Sequence, residues 1–143
     1  MLSVEENTNV ETIERYVDYI NRNSSKPEIN REKYLEFYSE DVRYCEMPSI
    51  FRSKGRSGGF DQIIQALETD RKQISDELFT AKRIIASGDM VALECEWKAT
   101  IKLKNGLNPP GTLLTADAAI VFRLRNGKII EENDYFCFAK PET

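Results

Sequence analysis

The spacing of the apolar residues changes its period part-way along the 143-residue chain, and this change constrains the fold more than any other feature. Up to about residue 73, apolar side chains recur every three or four positions, which predicts helices. After residue 76 they alternate with polar side chains, most clearly from Val91 to Ile101, which predicts half-buried strands. Helices followed by an antiparallel meander indicate an α+β domain in which a curved sheet wraps around the helices.

The same spacing predicts the individual elements. A first helix runs over 10–23, a second begins after a capping Asn30 and ends near 39–41, and a third runs from Phe60 to about Gln73. The second helix would bury Tyr34, Leu35, Phe37 and Tyr38. Strands are predicted over 42–48, 78–87, 91–101 and 113–125, and Asn126-Gly127 makes a hairpin turn into a last strand that ends at Phe138. One domain covers 1–143, with its core in about 10–138.

Two carboxylates lie on an apolar face of this last strand. Strict alternation places Glu132 and Asp134 on the face that carries Ile130, Phe136 and Phe138. Burying an unpaired ionised carboxylate costs several kcal/mol, so these acids must be paired, protonated or turned into a cavity. Such a cavity is what acid–base chemistry requires. The alternative is a frayed sheet edge that leaves both acids in water or paired with a nearby Lys or Arg.

The chain contains no histidine, and this narrows the chemistry that it can perform. Nucleophiles activated by histidine, histidine-rich zinc sites and histidine proton shuttles are excluded. Carboxylates, tyrosines, cysteines and lysines remain. No acidic motif with metal-ligand spacing supports a metal bound by carboxylates, and the chain is too short for a separate cofactor domain. We therefore expect neither a metal nor a cofactor.

Charge and hydropathy limit the partners. The net charge is −4, and the lysines and arginines are scattered, which argues against nucleic acid. No apolar run approaches the roughly 20 residues that span a bilayer. Because the first residues also lack the pattern of a secretion signal, we expect a cytoplasmic protein without a membrane partner. The cysteines Cys45, Cys95 and Cys137 are odd in number and far apart, which is typical of reduced core residues.

Four short motifs carry a resemblance to a known family. The motifs are Glu14-Arg15-Tyr16-Val17, Phe37-Tyr38-Ser39-Glu40-Asp41-Val42, Gly55-Arg56-Ser57-Gly58 and Phe122-Arg123-Leu124-Arg125-Asn126-Gly127-Lys128-Ile129. With these motifs in this order and spacing, the chain resembles the nuclear transport factor 2-like superfamily, and within it the branch of SnoaL-like polyketide cyclases and ketosteroid isomerases. The resemblance implies a cone of three N-terminal helices packed in a curved, mostly antiparallel sheet, an apolar pocket at its open end and a homodimer.

The resemblance also implies roles for individual residues. Tyr16 matches the helix tyrosine that donates a hydrogen bond to the enolate in ketosteroid isomerases, and Glu46 falls at the position of the base. Asp134 matches an acid of the cyclase motif, in which Glu132 replaces a histidine. Ile120 replaces the second aspartate of the isomerases, which disfavours their usual oxyanion pair. We expect four side chains to line the ligand pocket: Tyr44, Trp97, Ile120 and Phe136.

Two functional hypotheses follow. The first is an isomerase or cyclase that works without a cofactor on an apolar, carbonyl-bearing small molecule, with Glu46 or Asp134 as the base and Tyr16 as the hydrogen-bond donor. The second is a module that binds a small ligand, or a dimeric interaction module, without catalysis. Convergence of the acids on one cavity would favour the enzyme.

A purely structural role remains an alternative for several of these residues. Tyr16 and Trp97 are also typical of a packed core. The basic residues Arg52, Lys54 and Arg56 are more typical of a solvated loop than of a pocket mouth.

Overall fold

The computed structural model describes residues 1–140. Three segments are helical: α1 (Val4–Asn23), α2 (Arg31–Tyr34) and α3 (Phe60–Gln73). The strands are β1 (Tyr38–Glu46), β2 (Arg56–Gly58), β3 (Ile74–Ser87), β4 (Met90–Ile101), β5 (Leu113–Arg125) and β6 (Lys128–Phe138).

The strands form one mixed sheet in the order β2-β1-β6-β5-β4-β3. All neighbours are antiparallel except β1 and β6, which pair in parallel. The last strand, β6, lies inside the sheet, between β1 and β5. Buried side chains of α1, β1 and α3 pack with those of the long strands in one apolar cluster. The α+β class predicted from the sequence is confirmed.

The second helix is much shorter than predicted. The Asn30 side chain caps it by accepting a hydrogen bond from the Lys33 amide at 3.1 Å, as expected, but α2 has only four residues. The chain then turns, and Tyr38 pairs with Ile129 as the first residue of β1. The helical spacing continued past Tyr34, but pairing with a distant strand overrode this local preference.

A β-bulge corrects the predicted faces of β6. Ile129 pairs with Leu124 and Glu131 pairs with Arg123, so Ile130 is an extra residue in β6. As a result Ile129 is fully buried and Ile130 only partly buried, opposite to the strict alternation. The bulge lets Ile129 and Glu132, three positions apart, both face the interior.

A second bulge lies near the start of β3, which begins four residues before the predicted Leu78. The register is interrupted between Ser75 and Leu78, and Asp76 has a φ of 55°. A residue in this left-handed region at a bulge is usually glycine. The extra residue places Ile74 and Glu77 on the inner side of the strand, where both line a cavity.

The cysteines are free, and only one of them is a core residue. Cys95 is fully buried, Cys45 is partly buried and Cys137 is exposed. The prediction of a buried position was therefore wrong for Cys137, because it alternates with Phe136 and Phe138 and faces away from the helices. No helix within residues 1–140 is long and apolar enough to cross a membrane.

Candidate active site

A small inner cavity of about 100 Å³ lies between α1, α3 and the helix-facing side of the sheet. Tyr16 reaches it from α1, Glu46 from β1, and Glu132 and Asp134 from β6. All four candidate catalytic residues therefore line one space, together with the expected pocket residues Tyr44, Ile120 and Phe136.

An outer cavity of about 210 Å³ adjoins the inner one. Trp97, the fourth expected pocket residue, lines this outer cavity and not the inner one. Aromatic rings surround it, with centroids 4.8–5.8 Å apart in edge-to-face pairs. Both cavities are lined by Glu46, Arg56, Asp70, Glu77 and Phe136, which places these side chains at the junction.

A chain of buried hydrogen bonds forms part of the inner wall. The Tyr38 hydroxyl donates to Glu132 Oε1 at 2.5 Å, and the hydroxyls of Tyr16 and Tyr38 are hydrogen bonded to each other. The single hydroxyl proton of Tyr38 is used in the hydrogen bond to Glu132. Tyr16 is therefore the donor in the hydrogen bond between the two tyrosines. Burial raises the pKa of both tyrosines well above the usual value, so both stay protonated.

The carboxylates of Glu132 and Asp134 form a coupled pair. Both side chains are more than nine-tenths buried, and they lie two positions apart on the face of β6 that lines the inner cavity. Burial raises the pKa of Glu132, and burial together with the Glu132 charge raises the pKa of Asp134 well above its usual range. Because two neighbouring buried carboxylates cannot both ionise cheaply, the pair favours a state with one shared proton and one negative charge. Asp134 Oδ1 is buried without a hydrogen-bond partner among the described residues.

An ion-pair network holds Glu46 at the junction. Arg56 lies opposite Glu46 in the β1–β2 ladder and donates to Glu46 Oε1 from Nη2 at 2.9 Å. The same guanidinium forms a second ion pair, with Asp70 of α3, also at 2.9 Å. Arg56 is thus mostly buried, and the prediction of a solvated loop position was wrong for it. Gly55 explains this placement, since a Cβ there would lie 2.2 Å from the Glu46 carbonyl oxygen.

Glu77 is an additional acid that the sequence did not single out. Its Oε2 accepts a hydrogen bond from Trp97 Nε1 at 2.9 Å. Burial raises the pKa of Glu77 to about 7, partly opposed by the Trp97 hydrogen bond. This carboxyl therefore changes its charge near neutral pH.

Tyr38, Asp70 and Glu77 were not predicted as site residues. For Tyr38 the misjudged second helix hid the signal, and for Glu77 the bulge did. Asp70 lies one helical turn after Ala66, on the face of α3 that meets Arg56. Its role could have been predicted only from the arrangement of α3 against β2. Within residues 1–140, no three acidic or thiol side chains are arranged to hold a metal ion.

The structure is thus an α+β fold that encloses an acid-lined cavity between its helices and its sheet. The sequence matches the family described as SnoaL-like polyketide cyclase over residues 10–140, which is nearly the whole chain. The chain belongs to this family. A comparison with curated proteins finds no significant match.

Several solved structures have the same fold. IdmH from Streptomyces antibioticus, provisionally assigned as a polyketide cyclase, has 19% identity and a TM-score of 0.73, covering 90% of this chain and 91% of its own. A SnoaL-like protein from Jannaschia sp. CCS1, with the same provisional assignment, has 17% identity and a TM-score of 0.74, with coverages of 95% and 90%. AclR from Streptomyces galilaeus, provisionally assigned as a hydroxylase, has 20% identity and a TM-score of 0.72, with coverages of 92% and 76%. At these identities the likeness shows the fold alone.

Proposed function

We propose that this protein is an acid–base enzyme of the isomerase or cyclase type, which removes a proton from a carbon next to a carbonyl group. The observation that carries the proposal is the buried Glu132–Asp134 pair on the wall of a cavity. A carboxyl pair that shares one proton can accept another from the substrate, because the raised pKa makes it a stronger base than an exposed carboxylate.

In the proposed first step, the carbonyl substrate lies in the inner cavity with its acidic C–H bond at Asp134 Oδ1. The C–H bond breaks, its electron pair moves into the enolate, the proton goes to Asp134 Oδ1, and the proton that the pair shared moves onto Glu132. Asp134 is assigned this role because the Glu46 carboxylate is already held in ion pairs by Arg56 and Arg52. Glu46 and Arg56 would instead stabilise the charges of the cavity wall.

The hydrogen-bond chain can return a proton to the substrate oxygen. Once the acid pair holds two protons, Glu132 can pass one to Tyr38, Tyr38 can pass its own to Tyr16, and Tyr16 can protonate the enolate oxygen. The protons balance, and the product of this step is the enol. Tyr16 then acts as the last member of a relay and not as a fixed donor.

The enol accounts for both reaction types. Protonation at another carbon gives isomerisation, and attack on an electrophile within the same molecule closes a ring. The alternative, a binding module without catalysis, would fit a pocket filled by apolar side chains. Convergence of Glu46, Glu132 and Asp134 on one cavity supports the enzyme instead.

Proton exchange tests the proposal without knowledge of the natural substrate. Cyclic aryl ketones such as 2-tetralone are incubated with the protein in D₂O, and deuterium entry next to the carbonyl is followed by NMR. We expect exchange above the buffer rate, a fall of about 10²–10⁴-fold in Asp134→Asn, and a smaller fall in Tyr16→Phe.

The matched control is Asp117→Asn, which removes an exposed carboxylate from the neighbouring strand β5. It should exchange protons at the wild-type rate. Exchange that stays at the buffer rate in the wild type, or that persists unchanged in Asp134→Asn, would contradict the proposal.

A further inference from the structure

The walls of the two cavities carry more acids than bases. Five carboxyl groups line them, against the two guanidinium groups of Arg52 and Arg56 and no lysine among the described residues. Even with one proton shared by the acid pair, the walls are net negative when Glu77 is ionised. A cleft of one sign favours ligands of the opposite sign. The five acids are Glu46, Asp70, Glu77, Glu132 and Asp134.

Both arginines already face carboxylates of the cavity walls, and Arg56 has no N–H donor left for an anion. Arg56 makes five hydrogen bonds, to Glu46, to Asp70 and to the Ala66 carbonyl, and a guanidinium has only five N–H donors. Arg52 lies at the rim of the outer cavity and faces the same two carboxylates at 3.5 and 3.8 Å. A substrate carboxylate or phosphate would therefore have to break ion pairs that already exist.

The cavity wall also offers acceptors without donors. The hydroxyl proton of Tyr16 points to Tyr38, and that of Tyr38 points to Glu132. Asp134 Oδ1, on a side chain that is 8% exposed, is an unpartnered acceptor on the inner cavity. A buried acceptor without a partner is costly, so a ligand that brings a hydrogen-bond donor gains more here than one that brings only acceptors.

The junction of the two cavities combines a carboxyl group with aromatic faces. Glu77 uses Oε2 to accept from Trp97 and makes no hydrogen bond with Oε1 among the described residues. The rings of Phe51, Trp97, Phe136 and Phe138 surround the outer cavity. A carboxylate beside aromatic rings is the environment that proteins use to bind ammonium groups.

We infer that the substrate carries a protonated basic nitrogen, which binds at the junction between Glu77 and the aromatic rings of the outer cavity. The inference deepens the proposed function, because the carbonyl end of the same molecule would then extend to Asp134. Glu77 would be a specificity residue that contacts the substrate away from the reacting carbon. An anionic substrate of similar shape would be rejected by the same wall.

Three probes with the same ring and different head groups test the inference. Benzylammonium, benzyl alcohol and benzoate are titrated at pH 7.5 into the whole protein, with dissociation constants from calorimetry. Fluorescence of Trp97, the single tryptophan of the chain, reports whether the probe reaches the outer cavity. We expect benzylammonium to bind at least tenfold more tightly than benzyl alcohol, and benzoate to bind most weakly.

Glu77→Gln is the informative variant, because an amide keeps the shape and can still accept from Trp97. It should bring the affinity for benzylammonium close to that for benzyl alcohol. Glu94→Gln is the matched control, since Glu94 is an exposed partner of Arg83 on the neighbouring strand. This control should keep the wild-type preference.

Equal binding of the three probes, a preference for benzoate, or no binding of benzylammonium at millimolar concentration would overturn the inference. So would a preference for the cation that Glu77→Gln leaves unchanged. The proton-exchange assay separates the two proposals. Exchange of 2-tetralone that depends on Asp134, with no preference for the cation, removes only the ammonium site, whereas failure of both assays removes the proposed function as well.

Discussion

Tyr38 has one hydroxyl proton, and the direction of the hydrogen-bond chain depends on it. While Glu132 is ionised, it accepts a hydrogen bond from Tyr38, and the Tyr16 hydroxyl must then donate its hydrogen bond to Tyr38. The wall of the cavity offers acceptors in this state. If the acid pair gains a proton, the chain can reverse and Tyr16 can donate into the cavity. Tyr38 thus couples the charge of the acid pair to the polarity of the cavity.

Replacement of Tyr38 by phenylalanine should interrupt this coupling. The variant leaves Glu132 Oε1 buried without its donor, which costs about 1–3 kcal/mol of unfolding free energy. The lost hydrogen bond had lowered the pKa of Glu132, so this pKa should rise further. Urea unfolding and carbon-13 NMR titration of the carboxyl groups measure the two effects.

Tyr34→Phe is the matched control for this substitution. The Tyr34 hydroxyl is also buried but has no hydrogen-bond partner among the described residues, so its removal should be neutral or stabilising. Equal loss of stability in the two variants would mean that the hydroxyl of Tyr38 contributes only by packing.

At the scale of the elements, two β-bulges set the positions of the acids. In β6 the extra residue follows Ile129, and Glu132 then faces the interior. In β3 the extra residue lies at Asp76, and Glu77 then lines the junction of the cavities. Bulges next to functional sites often redirect side chains in this way.

The bulge in β3 predicts a contrast between two substitutions of Asp76. At a φ of 55°, valine is strained by its branched Cβ, and Asp76→Val should cost about 1–3 kcal/mol of unfolding free energy. Asp76→Val should also shift the fluorescence emission of Trp97, because Glu77 follows Asp76 directly and accepts the hydrogen bond of Trp97. Asp76→Gly fits this φ and should change neither quantity strongly. Equal emission and stability in both variants would show that the bulge does not position Glu77.

The sequence predicted the elements with regular spacing and missed those that depend on partners. The range of α3 and the hairpin at Asn126-Gly127 were predicted correctly, because local spacing and turn residues define them. The four candidate catalytic residues were proposed from motif matches, and Glu132 and Asp134 also from strand alternation; all four line the inner cavity. Tyr38 and Glu77 were missed because a strand partner and a bulge decide their environment, and neither leaves a periodic signal. Arg56 was misjudged because its two acidic partners lie 10 and 14 residues away.

At the scale of the whole molecule, the buried acids make the free energy of unfolding depend on pH. Raised pKa values of Asp134, Glu132 and Glu77 mean that the folded state favours their protonated forms. This stabilisation is fully present below the unfolded pKa of about 4 and is lost as the pH rises through the folded pKa. For Glu77, the loss falls between about pH 4.5 and about 7.

We therefore expect the unfolding free energy to fall by roughly 1–3 kcal/mol between pH 4.5 and pH 7.5. Urea unfolding across this range measures the slope. Glu77→Gln should flatten this slope, because it removes the titrating carboxyl group. The variant retains the charged neighbours of Glu77, namely Asp70, Arg71 and Arg56. Glu94→Gln should keep the wild-type slope. A free energy of unfolding that rises with pH over this window would contradict the raised pKa values.

The position of β6 has a consequence for how the molecule is made. This strand is the last described element to leave the ribosome, yet it lies between β1 and β5 in the finished sheet. Without it, β1 and β2 would have no sheet contact with the meander of β3 to β5, and two strand edges would be open to other chains. The strand that closes these edges also brings Glu132 and Asp134, so the acid pair is assembled in the same event that protects the sheet from aggregation.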